Sequence, residues 1–243
     1  MVDIHCHVLF GVDDGSADLN ESIEMMRIAQ EGGTDSVFAT PHCNIPGSVR
    51  NYWCEELSNR LKRLNSALLQ EGIGVKVYSG QEIFATPETP KLLDNGSLIT
   101  LNSSRYALIE FDFEEYSVEA YAILQSVVSH GYVPIVAHPE RYGFVYEEED
   151  AARRLKDIGC LLQINKGSLK GSFGTRARKT AYRLLDTELA DFIASDAHGP
   201  YVRTPFLADA RDAVADIYSE NYAELLFNVN PSCVLNNKEI YGF

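Results

Sequence analysis

Seven short β-branched or aliphatic runs, each followed by a stretch of helical periodicity, constrain this chain more than any other feature of its sequence. The runs cover residues 2–5, 36–39, 75–79, 107–111, 133–137, 160–164 and 192–194, and the helical stretches lie near 18–31, 49–71, 117–130, 147–158, 174–186, 205–217 and 219–226. Parallel strands need a connection of helix length between them, so this order predicts an α/β protein built on a parallel barrel. The 243 residues are within the range one such barrel uses, and no repeat, linker or low-complexity tract divides them. Residues 1–243 are therefore expected to form a single domain. The segment 86–104, with two prolines and an Asn-Gly pair, reads as a loop holding a short helix, and 230–243 as a strap over the barrel.

Polar residues able to hold a metal fall where those runs end. His5 and His7 lie in Val2-Asp3-Ile4-His5-Cys6-His7, where strand alternation puts both imidazoles on one face and Ile4 and Cys6 on the other. The acidic turn Val12-Asp13-Asp14-Gly15-Ser16 follows closely. His42 follows the second run in Thr40-Pro41-His42, and Glu82 follows the third in Gly80-Gln81-Glu82. Glu110 ends the fourth run, His138 follows the fifth, and Asp196 and His198 follow the seventh in Ser195-Asp196-Ala197-His198. In a parallel barrel these ends share one mouth, which is where barrel enzymes keep their active sites. Five of the six histidines obey the pattern, and only His130, in the helix after the fourth run, does not. Histidines placed merely to pack a core would not coincide in this way. His, Asp and Glu without cysteine suit manganese, iron, zinc or cobalt rather than a structural zinc. Nine such residues are too many for one ion and fit two or three, with a carboxylate such as Glu110 bridging.

Composition narrows the function. The five cysteines are odd in number and include no Cys-x-x-Cys, which fits reduced, mostly buried thiols. A net charge of −14 argues against nucleic acid and means that an anionic substrate needs a local cationic centre. No apolar run approaches the about 18 to 20 residues of a membrane helix, and no basic-then-apolar signal opens the chain, so a cytoplasmic protein without a transmembrane segment is expected.

Taken together, Asp3-Ile4-His5-Cys6-His7, Val12-Asp13-Asp14-Gly15, Thr40-Pro41-His42, Gly80-Gln81-Glu82-Ile83, Ala137-His138-Pro139-Glu140-Arg141-Tyr142 and Ser195-Asp196-Ala197-His198 resemble the polymerase-and-histidinol-phosphatase (PHP) superfamily. Within it the chain is similar to the bacterial manganese-dependent protein-tyrosine phosphatases of capsule and exopolysaccharide gene clusters. The resemblance runs from residue 2 to about residue 227, and the Asp-Asp-Gly turn and the His-Pro-Glu-Arg-Tyr block are its most specific parts. It implies a distorted seven-stranded barrel with three ions. By motif, His5, His7, Glu110 and Asp196 would hold the first; Glu82, Glu110 and His138 the second; Asp14, His42 and His198 the third. Asp13 is the rival to Asp14. Arg141 and Arg203 match the arginines expected to hold phosphate.

The chemistry can be argued from the residues. Two ions bridged by a carboxylate lower the pKa of a shared water and bind phosphoryl oxygens, and Arg141 and Arg203 add forked, always-charged donors. A guanidinium has no lone pair, so removing either arginine is expected to leave metal content unchanged. A phenolate leaves more readily than an alkoxide, and His42 or His198 could protonate it. His42-Cys43 with Arg50 resembles the His-Cys-(five residues)-Arg loop of cysteine-dependent tyrosine phosphatases, but six residues intervene and Pro46 interrupts them. Cys43 is therefore expected to be a packing residue.

The resemblance implies a phosphotyrosine-bearing protein substrate, the tail of a bacterial tyrosine kinase that controls capsule synthesis. Two other functions are open: a small-molecule phosphatase such as a histidinol phosphatase, and a non-catalytic, metal-dependent kinase-binding module. The oligomeric state is open too. Tyr52, Trp53 and Leu57 are expected to pack within the second helix, the acidic run 147–150 to open the helix that follows it, and Tyr106, Tyr116 and Tyr142 to stand at the rim.

Overall fold

Among residues 1–240, which the computed structural model describes, nine strands form two parallel sheets. The first sheet has the order β1 (Val2–Cys6), β2 (Ser36–Ala39), β4 (Lys76–Ser79). The second runs β3 (His42–Cys43), β5 (Glu82–Phe84), β6 (Tyr106–Glu110), β7 (Val133–Ala137), β8 (Leu161–Asn165), β9 (Phe192–Ala194). All seven sequence runs appear, but the second and third are each followed by a further short strand that belongs to the other sheet. Pro41, which has no N–H to give a ladder, separates β2 from β3, and Gly80-Gln81 separates β4 from β5. A Cβ on Gly80 would stand 2.7 Å from Leu101 Cδ2, so a larger residue there would have to displace that buried side chain. The predicted single seven-stranded barrel is thus two parallel sheets, joined beyond β9 by one bridge between Cys6 and Ala197. There His7 N–H donates to Ala197 O (2.9 Å) and Asp196 N–H to His5 O (2.8 Å).

Alternation along β1 is not strict. The register shifts between Asp3 and Cys6, so Ile4 joins a cluster shared by both sheets while Cys6 packs with Met25, Met26 and Leu64 of the covering helices. The shared cluster holds Val2, Phe38, Leu108, Ile135 and Phe192, and Val234 of the helix Asn230–Leu235 closes its N-terminal end. Beyond that helix Tyr106 Oη donates to Lys238 O (2.6 Å), so the expected strap crosses the mouth opposite the polar one; its last residues, 241–243, lie outside the described part.

The second helix begins at Glu55 rather than near 49, because Asn51 is left-handed (φ 39°) and spends its amide on Val12 O and His42 O at 2.8 and 2.9 Å. Tyr52 and Trp53 therefore precede the helix, although Trp53 still packs against the cluster that contains Leu57. The acidic run 147–150 ends the helix Gly143–Glu147 with its first residue and stands at the N-cap of the helix Ala151–Ile158 with its last, Asp150, so it precedes that helix rather than forming its first turn. The 86–104 segment holds the helix Thr89–Asp94 and the 3-10 turn Leu101–Ser103.

Candidate metal centre

All nine sequence-predicted ligands meet at the mouth where the strands end. His5 is in β1 and His7 just beyond it; His42 and Glu82 open β3 and β5; Glu110 ends β6; His138 follows β7, and Asp196 and His198 follow β9. Asp14 reaches in from the turn after β1. Two of these positions, His138 (φ 36°) and Asp196 (φ 48°), have left-handed backbones one and two residues after their strands, a conformation that costs a non-glycine residue about 1 kcal/mol or more. In both, the chain turns sharply at the residue whose side chain enters the mouth.

Glu82 is the carboxylate at the centre, where Glu110 was expected. Its Oε1 lies 2.8 Å from His138 Nε2 and 3.2 Å from His5 Nε2, and its Oε2 lies 3.1 Å from His7 Nε2 and 3.0 Å from His42 Nδ1. Glu110 Oε1 is 2.9 Å from His42 Nδ1. Ligand atoms gather within 4.8 Å of one another in three groups: His7, Asp14, His42 and His198; His5, His7 and Asp196; His42, Glu82 and Glu110. Compared with the sets the resemblance implies, His7 and His42 each serve two groups, and His138 approaches through Glu82.

The residues fit divalent ions. The Nε2 atoms of His5 and His7 face each other at 3.2 Å, Glu82 Oε2 accepts no hydrogen bond despite two adjacent imidazoles, and buried His198 Nε2 has no hydrogen-bond partner. Buried polar atoms left in this way are costly unless a cation meets their lone pairs. Electrostatics say the same. Burial alone would push the His7 imidazole down, but Asp13 and Glu82 outweigh it and push it up to about 10. For His42, Glu82 and Glu110 likewise outweigh burial and push it up to about 12. Burial and the neighbouring charge of Glu82 raise Glu110. The pocket demands positive charge among its carboxylates, and protons or metal ions can supply it.

A second layer holds these side chains. Asp13 Oδ2 accepts from His7 Nδ1 (2.7 Å) and from the His42 N–H (2.9 Å), and its Oδ1 accepts from the Gly15 N–H (3.0 Å). Asp13 therefore orients ligands, whereas Asp14 Oδ1 faces the mouth, 3.5 Å from both His42 Nε2 and His198 Nε2. On β8, Gln163 Oε1 lies 2.8 Å from His5 Nδ1, Gln163 Nε2 donates to Asn165 Oδ1 (2.8 Å), and Asn165 donates to Asp196 Oδ2. Sequence reasoning missed this amide relay. Its signal was present, since Gln163 and Asn165 are period-2 polar positions in an otherwise apolar strand.

Both arginines come to the same carboxylate. Arg203 Nη2 is 2.5 Å and Arg141 Nη1 3.9 Å from Asp196 Oδ2. Arg141 lies over the rings of Phe113 (4.2 Å) and Phe173 (4.3 Å), and Arg203 over Phe173 (5.4 Å). Phe113 and Phe173 were not singled out in the sequence, where isolated loop aromatics carry no periodic signal. Because Arg203 also holds a proposed ligand, its removal is no longer expected to leave metal content untouched; Arg141, more distant, keeps that expectation.

The remaining expectations sort simply. His130 pairs with Asp94 (2.7 Å) outside the centre. Cys43 is fully buried, and burial with the charges of Glu110 and Glu82 pushes its thiol well up, the opposite of a nucleophile's setting. Of the tyrosines expected at the rim, Tyr106 is buried at the other end, Tyr142 is buried with its Oη accepting from the Phe111 N–H (3.1 Å), and Tyr116 is exposed. The rim aromatic is Phe113, in a cavity of about 290 Å³ that also includes Arg141, Arg203 and seven of the nine predicted ligands.

Known proteins resemble this chain over nearly its whole length. The chain is 34% identical over 249 residues to the tyrosine-protein phosphatase YwqE of Bacillus subtilis (strain 168), covering 99% of this chain and 94% of that protein. It superposes with a TM-score of 0.93 and 34% identity, over 100% of this chain and 97% of the other, on a crystal structure from work on YwqE of Bacillus subtilis and CpsB of Streptococcus pneumoniae, described as unique metal-dependent tyrosine phosphatases. A lactonase from Listeria monocytogenes shares the fold alone, with a TM-score of 0.59 at 12% identity over 98% of this chain and 95% of that one. The family model for capsular polysaccharide synthesis proteins CpsB/CapC matches residues 1–236, and the chain belongs to that family.

Proposed function

We propose that this chain is a metal-dependent protein-tyrosine phosphatase, with two or three divalent ions, manganese foremost, held among His5, His7, Asp14, His42, Glu82, Glu110, His138, Asp196 and His198. The observation that carries this reading is the junction, at Asp196, of two guanidiniums with a cluster of eight residues able to hold metal, His138 standing beside it against Glu82. A barrel that cleaves amides has one carbonyl oxygen to polarise, whereas a transferring phosphoryl group has three charged oxygens to meet. Ions bound here supply positive charge to the phosphoryl oxygens and lower the pKa of the attacking water. Arg141 and Arg203 donate to the same oxygens, their planes held by Phe113 and Phe173. The Nε2 atoms of His42 and His198 lie 3.5 Å from Asp14 Oδ1, and whichever of the two does not hold an ion through that nitrogen would give a proton to the departing phenolate oxygen.

The two sheets are read as a distorted barrel of seven strand positions, and residues 1–243 as one domain acting in the cytoplasm. No helix among the described residues is long and apolar enough to cross a membrane. The substrate proposed is the phosphorylated tail of a bacterial tyrosine kinase that controls capsule or exopolysaccharide synthesis, in keeping with the family's description. The test is protein purified without chelator, analysed for metal and assayed on a phosphotyrosyl peptide and on histidinol phosphate. Metal-containing protein that prefers the peptide, and loses activity on chelation, is the expected result. Preference for histidinol phosphate would replace the reading with a small-molecule phosphatase, and inactivity of metal-loaded protein on both would leave a binding module.

A further inference from the structure

In a chain of net charge −14, the helix Gly174–Asp186 carries Arg176, Arg178, Lys179 and Arg183 against a single acid, Asp186. Lys156, Lys170 and Arg211 all pair with carboxylates, but among the described residues none of these four does. Three of them lie against aromatic rings or backbone instead: Arg176 over Tyr146 at 4.5 Å, Arg178 over Tyr182 at 5.8 Å, and Arg183 donating to Val145 O at 2.5 Å. The surface between them is concave. A cavity of about 290 Å³ shares Phe113 and Arg141 with the metal mouth and reaches Phe173 and Arg176. It continues into one of about 370 Å³ at Arg176, Lys179 and Arg183, and then into one of about 460 Å³ at Arg178 and Tyr182. Glu140, Glu147 and Asp186 also line this trough, but Glu140 is buried with its Oε1 accepting from Ser168 Oγ (2.6 Å) and the Asn165 N–H (3.0 Å), and Asp186 already accepts from Tyr218 Oη (2.5 Å).

We propose that this trough is a specificity subsite for acidic residues flanking the phosphotyrosine, drawing the substrate chain from the mouth along the helix. The proposal rests on the phosphatase reading of the site. Four unpaired cations on an otherwise acidic protein attract anionic side chains at short range, while the global charge still repels a long polyanion such as RNA. Rings beneath two of the guanidiniums keep them extended and available.

The test compares two phosphotyrosyl peptides of equal length, one with Asp and Glu flanks and one with neutral flanks. Metal-loaded wild type should turn over the acidic peptide with a kcat/KM at least about 10-fold higher, through KM, and the advantage should shrink as salt rises from about 50 to about 500 mM. Arg176→Glu/Lys179→Glu, at exposed positions, should abolish or invert that ratio. In parallel, metal-free wild type should bind the acidic peptide more tightly than the neutral one by fluorescence anisotropy. Equal kcat/KM for the two peptides, a ratio unmoved by the double substitution, or displacement of the acidic peptide by an equimolar RNA oligonucleotide would overturn the proposal. Wild type that turns over neither peptide nor para-nitrophenyl phosphate would instead refute the phosphatase reading, and the anisotropy comparison would still decide the trough.

Discussion

Gly15→Ala tests how tightly the acidic turn is wedged beneath the metal centre. Gly15 needs no unusual φ; it is required by contact, because a Cβ there would stand 2.2 Å from His7 O and 2.5 Å from His7 Cβ, where real contacts do not fall below 3.0 Å. The turn and β1 must therefore part by about 1 Å to accept one methyl group. Both neighbouring atoms belong to His7, so no flexible side chain can absorb the shift. A displacement of that size takes Asp13 Oδ2 out of hydrogen-bond range of His7 Nδ1 and the His42 N–H, now at 2.7 and 2.9 Å. Bonds to a charged group contribute about 1.5–3 kcal/mol each, so losing both with partial relaxation costs about 2–4 kcal/mol. For a chain this long that lowers Tm by about 4–16 °C. Loss of an orienting carboxylate should weaken metal binding by about 10–100-fold. Calorimetry of chelated protein reads the first effect, and metal titration of the same preparation reads the second. A Gly15→Ala protein with Tm within about 1 °C of wild type and unaltered metal affinity would refute the wedge.

Arg141→Ala should keep full metal content yet lower kcat on an aryl phosphate by about 100-fold or more, the cost of one preorganised donor, and Arg141→Lys should recover only part of it. Arg203→Ala should lower turnover similarly and also weaken metal binding, since it strips Asp196 Oδ2 of its 2.5 Å partner; equal metal affinity in the two variants would refute that division. Cys43→Ser should remain active while chelation abolishes activity; an inert Cys43→Ser that binds metal normally would restore the thiolate mechanism. Metal loading at neutral pH should release protons, measured as a calorimetric enthalpy that varies with the buffer's ionisation enthalpy, because the metal-free protein holds His7 and His42 charged. The sign follows from raised folded pKa values: the charged pairs stabilise metal-free protein fully below about 6.5 and are lost as pH climbs through about 10 and about 12, whereas metal is lost as pH falls. A buffer-independent enthalpy would contradict it.

The centre was legible in the sequence because two simple rules meet there: parallel strands are apolar runs, and their C-terminal ends share a mouth. Glu110 and His138 could be placed from that alone. The split of the second and third strands was not legible, because Thr40-Pro41 and Gly80-Gln81 look like loop while His42-Cys43 and Glu82-Ile83-Phe84 resume pairing with a different neighbour. Pairing partners are tertiary facts, and residues 42–43 are too short to carry a periodic signal. Gln163 and Asn165 were hidden by the opposite problem, a strong strand whose polar positions could equally have faced solvent. The start of the second helix was misplaced because residues 49–54 suit a helix, and only the bonds of Asn51 to Val12 and His42 hold it in another conformation.

The two sheets meet at a seam that is almost bare of backbone pairing beyond β9, with one bridge between Cys6 and Ala197. His5 and His7 stand on one side of it, and His42, Glu82, Glu110 and His138 on the other. Ions held across that line would act as rivets, adding to the buried cluster that already joins the two sheets. A ligand that binds only the folded chain adds about 4 kcal/mol when present at a thousandfold excess over its Kd, and here that increment falls on the junction rather than on the sheets. The shared buried cluster and the short passages from β2 to β3 and from β4 to β5 keep the two sheets together without metal, so the supply of metal would add to the cohesion of the molecule at its polar mouth as well as enable its chemistry.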